Sequence, residues 1–121
     1  MKKSNSIKKN AGIVNKFLKK ELHGNPKQLY DAASHLILHG GKRLRPFLVL
    51  KSCQMLGGRQ SDAMTAASAV EMIHNFTLVH DDIMDNDEMR HGVPTTHKKF
   101  DMPLAILAGD VLYSKAYHTI S

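Results

Sequence analysis

Cysteine and long apolar runs are both scarce in this chain of 121 residues. The single cysteine, Cys53, has no partner for a disulfide, which excludes a disulfide-stapled secreted domain and favours a reducing compartment. No apolar run reaches the length of a membrane span, and the polar, basic residues 1–6 are not followed by the apolar core of a signal peptide. We therefore expect a cytoplasmic protein without a stable membrane anchor.

Aromatic residues make up only 6% of the sequence, and tryptophan is absent. The formal net charge of +6 favours anionic partners, which include nucleic acid, an anionic membrane surface and phosphorylated small molecules. Proteins that bind single-stranded nucleic acid interleave basic residues with aromatic ones, and this chain does not. An acidic cluster also follows its basic residues. We therefore expect no nucleic-acid partner.

Strand-like alternation and internal repeats are also missing. Apolar residues instead recur at helical spacing in five or six segments that are joined by short loops, and the pattern predicts an all-α helical bundle. The predicted organisation is a mobile basic N-terminus at residues 1–10 and a helical domain at residues 11–121. Capping residues, prolines and glycines give the predicted boundaries. The first predicted helix covers Ala11–His23, and the second is capped by Asn25 and has Pro26 as its first residue. The third helix is predicted to begin at Pro46, and the fourth to be capped by Ser61 or Asp62. A loop is predicted over residues 86–97, and Asp101 is predicted to open the last helix.

Acidic residues stand at the C-terminal end of the predicted fourth helix. Residues 63–79 are mostly apolar or small, which predicts a long buried helix, and three aspartates follow it. Asp81 and Asp85 are four residues apart and share a helix face, whereas Asp82 points elsewhere. Acid is unfavourable at this end of a helix, and a cation such as Mg²⁺, which takes one or two carboxylates together with phosphate oxygens and water, would offset the cost. A solvated acidic helix end is the alternative, and spacing alone does not choose between them.

A basic loop, residues 40–46, precedes the third helix. Its glycines let the backbone approach a ligand closely, Lys42 offers a compact charge, and Arg43 and Arg45 offer planar forks. A helix N-terminus follows, and the combination suits a diphosphate. The alternative is a C-capping glycine pair with solvated basic residues beside it.

Three motifs in this order resemble the head-to-tail trans-isoprenyl diphosphate synthases: Gly40–Pro46, Asp81–Asp85 and Arg90–Thr95. The likeness extends from about His23 to the last residue. It implies an isoprenoid synthase fold and a Mg²⁺-dependent prenyltransferase that condenses isopentenyl diphosphate with an allylic diphosphate. Carboxylates hold a diphosphate only through metal, whereas Lys and Arg bind one directly, and this difference separates the two substrates.

The resemblance also assigns roles to residues. Asp81 and Asp85 would bind Mg²⁺ on the allylic diphosphate, with Asp82 in a lesser, supporting place. Lys42, Arg45 and His74 would bind isopentenyl diphosphate, and Lys42 is counted with the two metal-binding aspartates as catalytic. Arg90 would face the allylic diphosphate.

Two departures from the family pattern are visible. The family usually has two arginines before the glycine of the third motif, and here they are Arg90 and His91. His91 would face isopentenyl diphosphate, and because an imidazole gives similar hydrogen bonds only when protonated, that affinity is expected to be weaker or more dependent on pH. The family's second aspartate-rich motif has no counterpart after Asp110. The chain therefore resembles the N-terminal part of a synthase, and the alternative is a non-catalytic fragment or a subunit that pairs with another synthase chain.

Product length depends on the helix face below the aspartates. Thr77 shares the Asp81 face one turn deeper, whereas Phe76 is turned roughly 140° away. In related synthases an aromatic residue at either position shortens the product. Enzymes with an aromatic residue at only the position that matches Phe76, and with no insertion in the aspartate motif, resemble archaeal geranylgeranyl diphosphate synthases. We therefore favour a geranylgeranyl product, with farnesyl as the second choice. An uncovered apolar surface also leads us to expect a homodimer or higher self-association.

Overall fold

A computed structural model describes residues 2–121, with side chains from Ile7 onward. These residues form six helices and one short hairpin, so the predicted all-α architecture is confirmed. The helices are α1 (Lys2–Glu21), α2 (Lys27–His35), α3 (Leu44–Met55), α4 (Gln60–Met84), α5 (Thr96–Lys99) and α6 (Met102–Ile120), and the antiparallel strands are β1 (Met89–Arg90) and β2 (Val93–Pro94). None of the helices within this part of the chain is long and apolar enough to cross a membrane.

The long helix α4 is the centre of the bundle and packs against α6 on one side and α3 on the other. Small residues of α6 are buried in the bundle, since Ala105 and Ala108 are both fully buried. Gly109 is the extreme case, since a Cβ atom there would overlap the imidazole of His80. Close packing of this kind keeps α4 rigid along its length.

Helix α1 begins at Lys2, earlier than the predicted start at Ala11. Val14, Leu18 and Leu22 recur at a spacing of four and are buried, as the apolar pattern predicted. Asn10, just before the predicted start, is also buried, and its Oδ1 accepts a hydrogen bond from Gln60 Nε2 at 2.8 Å. The mobility predicted for residues 1–10 stays a prediction, and Met1 and the side chains of residues 2–6 lie outside the described part.

Three other helix starts differ from the prediction by one to three residues. Helix α2 begins at Lys27, so Pro26 stands just before it and not at its first position. Helix α3 begins at Leu44, and Pro46 fits within its first turn because no helical partner is required there. Helix α4 is capped by Arg59, whose backbone N donates to Asp62 Oδ2 at 3.4 Å. The opening of α6 is confirmed, since Asp101 Oδ1 accepts from Leu104 N at 2.8 Å.

The segment predicted as a loop, residues 86–97, contains the hairpin and the start of α5. His91 and Gly92 form the turn between the two strands, with φ values of 54° and 78°. Two consecutive positive φ values give a turn whose twist matches that of paired strands. Thr95 secures the returning strand, because its Oγ1 donates to the backbone oxygen of Asp87 at 2.9 Å. The prediction of an irregular loop was therefore wrong for these residues.

Candidate active site

The basic loop, helix α4 and the hairpin turn enclose one cavity of about 340 Å³. All four residues predicted to bind isopentenyl diphosphate line it, namely Lys42, Arg45, His74 and His91. The fold brings them together because Lys42 lies just before α3 and Arg45 in its first turn, and α3 packs on α4. The turn of the hairpin closes the same cavity, and a Cβ atom on Gly40 would overlap the ring of His91.

Arg45 and His74 are in direct contact within this cavity, with Arg45 Nη1 at 3.2 Å from His74 Nε2. Burial lowers the pKa of His74, and the positive charge of Arg45 lowers this pKa further. A neutral imidazole accepts a hydrogen bond from the guanidinium, which matches the observed pairing. The contact holds both side chains at the cavity wall.

Arg43 differs from the other two cations of the basic loop because it is buried, with 4% of its surface exposed. Its Nε donates to Asn15 Oδ1 at 2.7 Å, and its Nη1 donates to the backbone oxygen of Gly40 at 3.0 Å and to Glu71 Oε1 at 3.3 Å. Its Nη2 donates to the backbone oxygen of Ile37. The interpretation that Arg43 offers its fork to a diphosphate was therefore wrong.

Burial lowers the pKa of Arg43, and the facing carboxylate of Glu71 acts in the opposite direction. Glu71 is itself buried and also accepts from Asn75 Nδ2 at 3.1 Å. The negative charge of Glu71 is thus matched by Arg43 and does not stand alone in the cavity wall. Sequence reasoning did not single out Glu71, although a lone carboxylate in the apolar run of residues 63–79 was a visible signal.

Asp81 and Asp85 are both exposed at the C-terminal end of α4. The helix ends at Met84, but Asp85 N donates to the backbone oxygen of Asp81 at 2.8 Å, so one further helical turn joins them. The predicted shared face is therefore present. Within the described side chains neither carboxylate makes an ion pair, and no group of three or more His, Cys, Asp or Glu residues is arranged to hold a metal.

Asp82 has different surroundings and is almost fully buried, with 1% of its surface exposed. Its carboxylate accepts from Arg90 Nη2 at 2.8 Å and from Arg90 Nε at 2.9 Å. These hydrogen bonds raise the pKa of Arg90, and the nearby charge of Asp81 contributes to the increase. The pair fastens the hairpin to the end of α4 and places Arg90 near the acidic residues at that end.

Phe76 and Thr77 lie on different sides of α4. Thr77 is exposed, whereas Phe76 is partly buried and packs against the rings of His80 and Tyr113 at centroid distances of 4.7 and 5.3 Å. Phe76 therefore faces α6, and Thr77 lies on the side of Asp81. Both positions agree with the helical wheel, which places Thr77 on the Asp81 face and turns Phe76 away from it.

The six helices of the described residues form the all-α architecture that the motifs predicted. The family model for polyprenyl synthetase matches residues 26–121. The chain belongs to the polyprenyl synthetase family.

Relatives and solved structures support the same membership. The chain is 48% identical over 108 residues to a geranylgeranyl diphosphate synthase of Sulfolobus acidocaldarius, which covers 89% of the chain and 33% of that protein. It is 51% identical over 119 residues to a geranylgeranyl pyrophosphate synthase of Geoglobus acetivorans, which covers 98% of the chain and 37% of that protein. A crystal structure of geranylgeranyl pyrophosphate synthetase from Pyrococcus horikoshii superposes with a TM-score of 0.92 at 46% identity, over 97% of this chain and 36% of that one. The chain thus spans about a third of the length of the relatives it matches.

Proposed function

We propose that this chain supplies the first half of the active site of a prenyltransferase that condenses isopentenyl diphosphate with an allylic diphosphate. The observation that carries the proposal is the cavity lined by Lys42, Arg45, His74 and His91. Helix α4 forms one wall of this cavity, and the exposed carboxylates of Asp81 and Asp85 follow on the last turn of the same helix. The similarity to geranylgeranyl diphosphate synthases supports the reaction class.

The basic cavity suits the diphosphate of the isopentenyl substrate. Lys42 and Arg45 bind phosphate oxygens directly, since charge-assisted hydrogen bonds need no metal. His74 and His91 line the same cavity, and His74 accepts a hydrogen bond from Arg45 that holds the guanidinium in place. Because this diphosphate stays attached during the reaction, direct binding without an activating metal is the appropriate chemistry.

The carboxylates of Asp81 and Asp85 fit Mg²⁺, because both are oxygen donors, both are unpaired among the described side chains, and they share one helix face. Two carboxylates leave room for diphosphate oxygens and water around the ion. When bound, Mg²⁺ would neutralise the charge that develops on the leaving diphosphate.

The remaining residues of the chain position the second diphosphate and the growing tail. Arg90 stands beside the acidic residues, held there by Asp82, and contributes a cation toward the allylic diphosphate. Thr77 leaves space below Asp81 for the prenyl tail, which favours a geranylgeranyl product over farnesyl. A cytoplasmic location and a homodimer are parts of the same proposal.

The test is a set of single substitutions in a whole synthase that contains this chain. Asp81→Ala or Asp85→Ala should lower the rate about a hundredfold, since roughly 3 kcal/mol of transition-state stabilisation is lost. Lys42→Ala should raise the KM for isopentenyl diphosphate about tenfold and leave the KM for the allylic substrate unchanged. Lys20→Ala, at an exposed lysine of α1, is the control. Equal changes in both KM values for Lys42→Ala would contradict the assignment.

A further inference from the structure

The three cations of the basic loop have different surroundings. Lys42 and Arg45 are exposed at the cavity, whereas Arg43 between them is buried and has a left-handed backbone with φ of 57°. A non-glycine residue in this conformation is uncommon and needs support from its surroundings. The contacts of the Arg43 side chain provide that support.

Those contacts come from three separate parts of the fold. Asn15 belongs to α1, Glu71 to α4, and the backbone oxygens of Ile37 and Gly40 to the turn after α2. A planar guanidinium satisfies several acceptors at fixed angles, which a lysine ammonium does not. Arg43 therefore fixes the path of the loop relative to both helices.

We infer that Arg43 is a positioning residue for the isopentenyl diphosphate pocket, and that Asn15 and Glu71 act through it. The inference rests on the proposed function, because the loop that Arg43 fixes carries Lys42 and Arg45. The inference adds a residue of α1, Asn15, to those that determine the shape of the pocket. Asn15 lies outside residues 26–121, which the family model matches. Helix α1 thus contributes to substrate binding without touching the cavity.

The charge of Glu71 makes the direction of the change in binding affinity a test of the inference. Glu71 lines the cavity, and a carboxylate close to a bound diphosphate opposes its binding by simple repulsion. If Glu71 acted only through its charge, Glu71→Gln would strengthen diphosphate binding. If Glu71 acts through Arg43, the same substitution loosens the loop and weakens binding.

A pair of matched variants on α1 separates positioning from general stability. Asn15→Ala removes the Oδ1 that accepts from Arg43, and Asn10→Ala removes the Oδ1 that accepts from Gln60, so each loses one hydrogen bond from the same helix. Both should lower the midpoint of thermal unfolding. Only Asn15→Ala should speed amide hydrogen exchange across residues 40–45 in the free 121-residue chain.

Binding is measured by calorimetry with isopentenyl diphosphate in EDTA, so that the carboxylate site does not contribute. Asn15→Ala should weaken binding at least about fivefold, Glu71→Gln should also weaken it, and Asn10→Ala should leave it within about twofold of the original chain. Tighter binding by Glu71→Gln, or unchanged exchange at residues 40–45 in Asn15→Ala, would overturn the inference.

The failure of the proposed function gives a different result. If the unsubstituted chain does not bind isopentenyl diphosphate, or if Lys42→Ala binds it equally well, the pocket has been assigned to the wrong ligand. Hydrogen exchange in the ligand-free variants still decides whether Arg43 and Asn15 hold the loop.

Discussion

Asp81 and Asp82 are neighbours in the chain with opposite surroundings. Asp82 is buried and accepts two strong hydrogen bonds from Arg90, whereas Asp81 is exposed and unpaired within the described side chains. The difference follows from helix geometry, because consecutive residues point about 100° apart. One carboxylate stabilises the fold, and the other is available for a ligand.

The exposure of Asp81 leads to a prediction about the stability of the chain in the absence of metal. Asp81→Ala should raise the free energy of unfolding of the metal-free chain by about 0.5 kcal/mol, because a negative charge at a helix C-terminus is unfavourable and this effect should outweigh the attraction between the exposed Asp81 and Arg90. Asp101→Ala, which removes the cap of α6, should lower it by about 1 kcal/mol and serves as the comparison. Chemical denaturation in EDTA measures both. A less stable Asp81→Ala chain would show that Asp81 has a structural partner.

The second prediction concerns pH. His35 Nε2 donates to the backbone oxygen of Pro94 at 2.7 Å, and burial lowers the pKa of His35 despite this hydrogen bond, with further lowering by the charges of His39 and Lys99. The unfolded chain, with a histidine pKa of about 6.5, therefore takes up the proton first as the pH falls.

Stability should accordingly decrease below about pH 6.5, and the lowered pKa of His74 acts in the same direction. Denaturation between pH 5.5 and pH 7.5 measures this slope. His35→Gln keeps a donor for Pro94 and should reduce the slope. An unchanged slope in His35→Gln would rule out His35 as a source of the pH dependence.

At the scale of elements, the hairpin depends on α4 for its position. The pair Asp82–Arg90 joins them, and only Arg90 retains partial exposure, at 27% of its side chain. Asp82→Ala should destabilise the chain by about 3 kcal/mol, because it leaves a partly buried guanidinium without a partner. Asp87→Ala, at an exposed aspartate of the same segment, should change stability by less than about 0.5 kcal/mol. Unfolding midpoints in urea compare the two, and equal losses would mean that the ion pair is not the link.

The bodies of the helices were predictable from sequence, because apolar spacing records which face is buried. The ends of the helices were less predictable. The cap at Arg59 and the start of α3 at Leu44 depend on local backbone geometry, and several neighbouring residues could have filled either position. The hairpin was missed because its two-residue strands are too short to show alternation. Its turn residues, His91 and Gly92, were the available signal.

The candidate site was predictable where residues of one motif share one face or one loop. Lys42 and Arg45, which belong to one motif, do line one cavity. The burial of Arg43 was not predictable, because its partner Asn15 is distant in sequence and only the packing of α1 brings the two together.

At the scale of the whole molecule, apolar side chains remain exposed on α3 and α6. Leu48 and Met55 are 62% and 84% exposed, and Tyr117 and Ile120 are both 54% exposed. We expect the 121-residue chain to self-associate through such surfaces and to form no product by itself. Analytical ultracentrifugation and a product assay test these two expectations. A monodisperse monomer at high concentration would contradict the first, and a prenyl diphosphate product the second.

The last prediction is the length of the product of a whole synthase that contains this chain. Thr77→Phe should fill the space one turn below Asp81 and shift the product toward fewer isoprene units, because a filled channel excludes the longer tail. Thr65→Phe, also at an exposed threonine of α4 but far from the acidic end, is the control. Chromatography of the dephosphorylated products measures the distribution. An unchanged distribution for Thr77→Phe would show that Thr77 does not face the tail.

The overlap that a Cβ atom on Gly40 would make with the ring of His91 has a consequence for how such a chain can diverge. The constraint falls on residue 40, since any side chain there displaces the imidazole of His91. Residue 91 can therefore change while residue 40 stays glycine, as an arginine at residue 91 would require. A side chain at residue 40 is expected only where residue 91 has become small enough to leave it room.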